Sequence, residues 1–195
     1  MSTRGAYGVY LEGKTKVFYN HSDSYPRGLG QDMIDQTIYL VNKYTIEQLK
    51  EMARNLRSMH MDEQPTAEEI KKIDAALNKL GWEPCETEDM YVKLRNVQGN
   101  LVCLLEDIQV GVNSNKFLSD SLFCEWAYII NLDDGLFEVY RGFQRAPHLL
   151  GRYHWDVIPS DRGNQYYPVA LVQTFKLDDP NLKEEFKEWS SFDEA

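Results

Sequence analysis

A chain of 195 residues, 43% hydrophobic and 12% aromatic, carries enough apolar surface for a packed core, which excludes wholesale disorder. Against 21 basic residues stand 31 acidic ones, a formal charge of −10 that excludes tight nonspecific binding to a phosphate backbone. Cys85, Cys103 and Cys124 make neither a metal-binding spacing nor an even disulfide framework, and no apolar run opens the chain or reaches the length of a membrane span. The expectation is a cytoplasmic protein with no membrane contact, no metal and no cofactor.

Residues 6–21, AYGVYLEGKTKVFYNH, read as a β-hairpin turning at Gly13. After Gly30, Met33, Ile34, Ile38 and Val41 recur at helical spacing. Thr45 and Gln48 have the spacing of a capping box, predicting a second helix through Leu49, Met52 and Leu56 towards Met59. Thr66 and Glu69 repeat that signature for a third helix through Ile70, Ile73 and Leu77, stopped at Leu80-Gly81. The dense apolar run at 100–112, NLVCLLEDIQVGV, fits a helix through Asp107. Residues 122–143 hold two β-rich runs around Asp134-Gly135, a preferred hairpin turn. A later strand follows in YYPVALVQTFKLD, and a terminal helix opens at Asp179 or Pro180 and runs through Phe186 and Trp189. The order of strands, helices, strands, helix predicts an α+β fold: one domain over 1–195, an antiparallel sheet with helices packed on it, and a helical segment of about 31–80 between two β regions.

The segment YNHSDSYPRGLG, residues 19–30, is rich in reactive and conformationally special residues for a connection. Pro26 fixes its own φ, and Gly28 and Gly30 allow a sharp turn just before a helix. Amides at such an entry lack internal partners and carry partial positive charge, so this turn is a candidate anion pocket, with Arg27 adding a full charge. Asp32 in the first helical turn competes for the same dipole. His21 and Asp23, two apart on an extended segment, point the same way and form a candidate general base with its orienter. Arg4 is expected beside this loop through the hairpin. Ser2, exposed if Met1 is removed, is a weaker candidate nucleophile. Glu125 is a carboxylate in an otherwise apolar β run, and GRYHWD at 151–156 clusters Arg152, His154, Trp155 and Asp156 as a candidate cover over a pocket.

TRGAYG at 3–8, YNHSDSYPRGLG at 19–30 and SLFCEWAYIINLD at 121–133 together resemble a protein family of phages, bacteria and fungi that has no established activity. The resemblance implies that Arg4, Asn20, His21, Asp23, Tyr25 and Gly28 belong to one recurring module. A weaker likeness, in layering alone, is to N-terminal-nucleophile hydrolases, although Met1-Ser2-Thr3 departs from their usual Cys or Thr start. The leading expectation is a protein that binds, and in one version hydrolyses, a small anionic nucleotide-like ligand. Arg4, Asn20, Tyr25, Arg27, Gly28 and Gly30 would bind it, and His21 with Asp23 would move protons. The rival is an acidic interaction module that docks on a host protein, such as a phage-encoded inhibitor of a host enzyme.

Overall fold

The computed structural model describes residues 3–87, 89–159 and 165–192. Strands β1 (Gly5–Leu11) and β2 (Lys14–Asn20) form the expected hairpin. Its turn places Glu12 and Gly13 at φ 52° and 73°, the double positive-φ geometry that matches strand twist. Strands β5 (Trp126–Asn131) and β6 (Leu136–Arg141) form the second hairpin around Asp134-Gly135. With β7 (Ala170–Lys176) they make a five-stranded sheet in the order β2-β1-β5-β6-β7. All neighbours are antiparallel except β1 and β5, which run parallel. The fold is α+β.

One face of the sheet is covered by helices. These are α1 (Gln31–Lys43), α2 (Ile46–Asn55), α3 (Ala67–Lys79), two short helices, α4 (Met90–Lys93) and α5 (Leu101–Cys103), and α6 (Leu182–Phe192). Leu182, Phe186 and Trp189 recur every three or four residues along α6 and meet the sheet. Phe186 lies 5.9 Å from Phe137, 5.5 Å from Phe175 and 5.5 Å from Trp189 between ring centroids. The opposite face bears the small residues Ala6 and Ala127 with Val17, Ile129 and Tyr140. It is covered by irregular chain that contributes Leu118, Cys124, Tyr153 and Val169.

Both capping boxes form: the Thr45 and Thr66 hydroxyls accept from the Gln48 and Glu69 amides, and the Gln48 and Glu69 side chains accept in return. The second helix stops at Asn55, short of the predicted Met59. Lys16 Nζ on β2 donates to the carbonyls of Ala53, Arg54 and Leu56 at 2.7, 3.0 and 2.6 Å, capping the helix end. Residues Arg57–Met59 then form β3, which pairs in parallel with β4 (Val110–Val112). The apolar run at 100–112 begins helically as expected, through α5 and a wider turn at Leu104–Ile108, before β4.

β3 is tied to the start of α3. Arg57 Nε and Nη2 donate to the Glu69 carboxylate at 2.7 and 3.0 Å. Those bonds, with help from Thr66, hold the Glu69 carboxyl at about 2, below its ordinary 4.5. The folded value lies below the unfolded one, so this stabilisation is complete above pH 4.5 and fades as pH falls towards 2. Thermal unfolding followed across that window should show the melting temperature dropping. Glu69→Gln should start lower at neutral pH and show a shallower acid drop; an unchanged slope would remove Glu69 from the account.

Candidate functional site

The segment 19–30 is first of all a built turn. Ser24 is fully buried: its amide donates to the Thr3 carbonyl at 3.1 Å, its hydroxyl accepts from Asn20 Nδ2 at 2.8 Å, and its carbonyl accepts from the Tyr128 hydroxyl at 2.9 Å. Asp23 adopts φ 54°, so the chain is not extended there and the expected shared direction of His21 and Asp23 is lost. The Asp23 carbonyl accepts from the Leu29 amide, and the Tyr25 carbonyl accepts from the Gly28 and Gly30 amides. The donors expected to cradle an anion are therefore occupied within the turn. The glycines answer to packing instead: a Cβ on Gly28 would stand 2.2 Å from the Asp23 carbonyl oxygen, and one on Gly30 would stand 2.9 Å from the rings of Tyr128 and Phe186.

A hollow of about 580 Å³ adjoins this turn, lined by Asn20, Asp23, Gly28, Asp32 and Asp35 among others. Burial, then the neighbouring Asp35, pushes the Asp32 carboxyl upwards. A wall of carboxylates repels an anion. Arg27 is exposed and does not line the hollow, and neither does Arg4. Tyr25 is partly exposed, with its ring against Gly28. The expected ligand set is thus divided. Asn20, Asp23 and Gly28 border an acidic hollow, whereas His21 and Arg4 belong to the other side of β2. Ser2 lies outside the described residues.

On that other side is a larger cleft, about 880 Å³, within the size range of small-molecule sites. Its floor is apolar, built from Tyr7 and Phe18 of the sheet with Leu94, Val97 and Leu104. Three aromatic rings form its wall. Tyr19 lies 5.2 Å from Phe117, edge on, and 6.0 Å from Tyr91. Tyr91 is held by α4, where Asp89 caps the Tyr91 amide and buried Lys93 pairs with Asp74 of α3 at 2.8 Å. Polar groups rim the cleft: His21, His60, Asp62, Lys116 and Asp120. The Tyr19 hydroxyl and His21 Nδ1 are 3.0 Å apart.

Arg4 does not line the cleft; its guanidinium lies 4.6 Å over the Phe123 ring, and its charge is felt at Asp120 and Tyr19 on the cleft. Burial raises the Tyr19 hydroxyl and the Asp120 carboxyl, and the Arg4 charge opposes both shifts. Glu125 lies just before β5 and accepts from the Arg4 main-chain amide. Among the described residues no group of three His, Cys, Asp or Glu side chains is placed to hold a metal ion, and no helix is long and apolar enough to cross a membrane.

Sequence reasoning reached His21 and Arg4 but missed Tyr91, Phe117, Lys116 and His60. These come from three separate segments, His60 after β3, Tyr91 in α4 and Lys116 with Phe117 after β4, which share no motif, and only the tertiary approach of β4 and α4 to β2 brings them together. Protein-family models, curated proteins and solved structures yield no match to this chain. GRYHWD is not a cover over the cleft: Arg152 and Tyr153 lie on the second sheet face, and Trp155 is 76% exposed.

Proposed function

We propose that the protein binds a small, planar, nucleotide-like ligand in the cleft between β2 and α4. The observation that carries this reading is the convergence of the Tyr19, Tyr91 and Phe117 rings over an apolar floor, with Lys116, His60 and His21 at the rim and Arg4 behind it. Rings of this kind stack on a heterocycle, and the Lys116 ammonium, opposite in charge to the rim carboxylates Asp62 and Asp120, suits an attached anionic group. If the ligand is turned over, His21 is the group for proton transfer. Three free cysteines, two of them buried, fit a reducing compartment, so we assign this role to the cytoplasm.

Calorimetric titration with a panel of mononucleotides and cyclic nucleotides tests the proposal. At least one member should bind. Tyr91→Ala should weaken that binding by about 1–3 kcal/mol, roughly 5- to 150-fold. Tyr91 is partly exposed, so the variant should keep its melting temperature. Absence of binding across the panel, or binding indifferent to Tyr91→Ala, would count against the cleft.

A second reading, docking on a partner protein such as a host enzyme, is favoured by the exposure of Leu149, Leu150 and Trp155 on an acidic chain. Co-purification separates the two: a stoichiometric protein favours docking, and a bound small molecule favours the cleft.

A further inference from the structure

β2 is an edge strand of the five-stranded sheet, and side chains and one main-chain amide from outside the sheet take up part of its outward backbone. β1 bonds β5 through its even-numbered residues, since Arg4 and Tyr10 accept from the Glu125 and Leu132 amides. Its odd-numbered residues therefore face β2. By the register of the hairpin, the backbone groups of Thr15, Val17 and Tyr19 point away from β1, to the open edge.

Two carboxamides and one amide fill most of that edge. Asn115 Nδ2 donates to the Thr15 carbonyl at 2.7 Å, and its Oδ1 accepts from the Val17 amide at 3.1 Å. The Ser114 amide donates to the Val17 carbonyl at 2.8 Å. Further along, Gln98 Oε1 accepts from the His21 amide at 3.1 Å. Between these fillers, no described residue bonds the amide or the carbonyl of Tyr19. The residues that fill the edge, Gln98, Ser114 and Asn115, also line the aromatic cleft, so the cleft lies off this same side of Tyr19.

We infer that the Tyr19 main chain reads the edge of a nucleobase. In an extended residue the N–H and C=O point to the same side, so the pair matches a ring that displays a hydrogen-bond acceptor next to a donor. A lactam or an aminopyrimidine edge has that pattern. Asn115 shows that this edge accepts a planar amide that both donates and accepts, there bridging the Thr15 carbonyl and the Val17 amide. The ring that stacks beside Tyr91 would thus be selected by its edge, not only by its face. This inference rests on the ligand reading above and deepens it.

The test uses the full chain, tyrosine labelled with nitrogen-15, and two probes: inosine monophosphate and its 1-methyl analogue, which blocks the ring donor. Inosine monophosphate should shift the Tyr19 amide resonance downfield, and the methylated probe should bind about tenfold or more weakly. Tyr19→Pro removes the amide and is tolerable on an outward edge position, whereas Tyr19→Ala removes only the ring. The proline variant should bind about tenfold more weakly than the alanine variant. Equal binding of both probes, with the Tyr19 resonance unmoved, overturns the edge reading while the cleft reading stands. Failure of the whole mononucleotide panel overturns both. If Tyr19→Pro does not fold, the comparison of probes on the wild-type chain still decides.

Discussion

Replacing Arg152 by Ala is expected to lower the unfolding free energy by about 3–5 kcal/mol. Glu138 on β6 retains only 3% of its surface. Its carboxylate accepts two parallel bonds from Arg152, at 2.7 and 2.5 Å, and single bonds from Asn131 and Tyr140 at 2.8 and 2.9 Å. Truncating Arg152 leaves the neutral donors in place but removes the only positive charge among those four contacts. An uncompensated carboxylate in an interior costs more than the pair contributed net. Arg152 also lies 3.7 Å over the Tyr10 ring, so its loss uncovers part of β1. Urea denaturation measures the change. The double variant Glu138→Leu with Arg152→Met should recover most of the loss, because it removes the stranded charge rather than exposing it. A loss below about 1 kcal/mol for Arg152→Ala would mean that Glu138 is solvated without its partner.

Phe186→Ala is the second large effect, at about 3–5 kcal/mol. The side chain is fully buried, and its neighbours Phe137, Phe175 and Trp189 are themselves stiff rings held by the sheet and by α6. Such a surround cannot collapse into the space left behind, so the cavity persists and the cost falls at the upper part of the range. Gly30 presses on the same ring, which couples the helix face to the turn at 19–30. Denaturant unfolding with an unchanged m-value checks the figure. Phe186→Leu should cost clearly less, and equal costs for the two variants would rule out the cavity as the cause.

Local chemistry made much of this fold legible. Gly13 and Asp134-Gly135 fixed two hairpins, and Thr45/Gln48 with Thr66/Glu69 fixed two helix starts, because each motif works through neighbours in the chain. The strand at Arg57–Met59 was hidden. Leu56 and Met59 continue the helical spacing, and the helix is ended by Lys16, which is remote in sequence. In the sequence Glu125 stands out as a carboxylate in an apolar β run, but the buried one is Glu138. Its partner Arg152 comes from an irregular segment with no period to read. At the candidate site, His21 and Arg4 stood out by residue type. Tyr91, Phe117, Gln98 and Asn115 did not, since a Gln or Asn facing a strand edge looks like any other polar loop residue until the edge is in view. The glycine-rich turn misled for a related reason: a glycine needed for close packing is spelled like one needed for a phosphate.

The parallel alignment of β1 with β5 has a consequence for how the chain is made. Arg4 and Glu125 are 121 positions apart and adjacent in space. The first hairpin leaves the ribosome early, but the inner side of β1 has no strand to receive it until β5 emerges. At about 5–20 residues per second, that wait lasts roughly 6–25 seconds. Throughout it the nascent ribbon offers a row of unmet donors and acceptors beside Val9 and Leu11, open to any other extended chain nearby. Yield in cells should therefore depend on translation speed and chaperone supply more steeply than the finished molecule's stability would indicate.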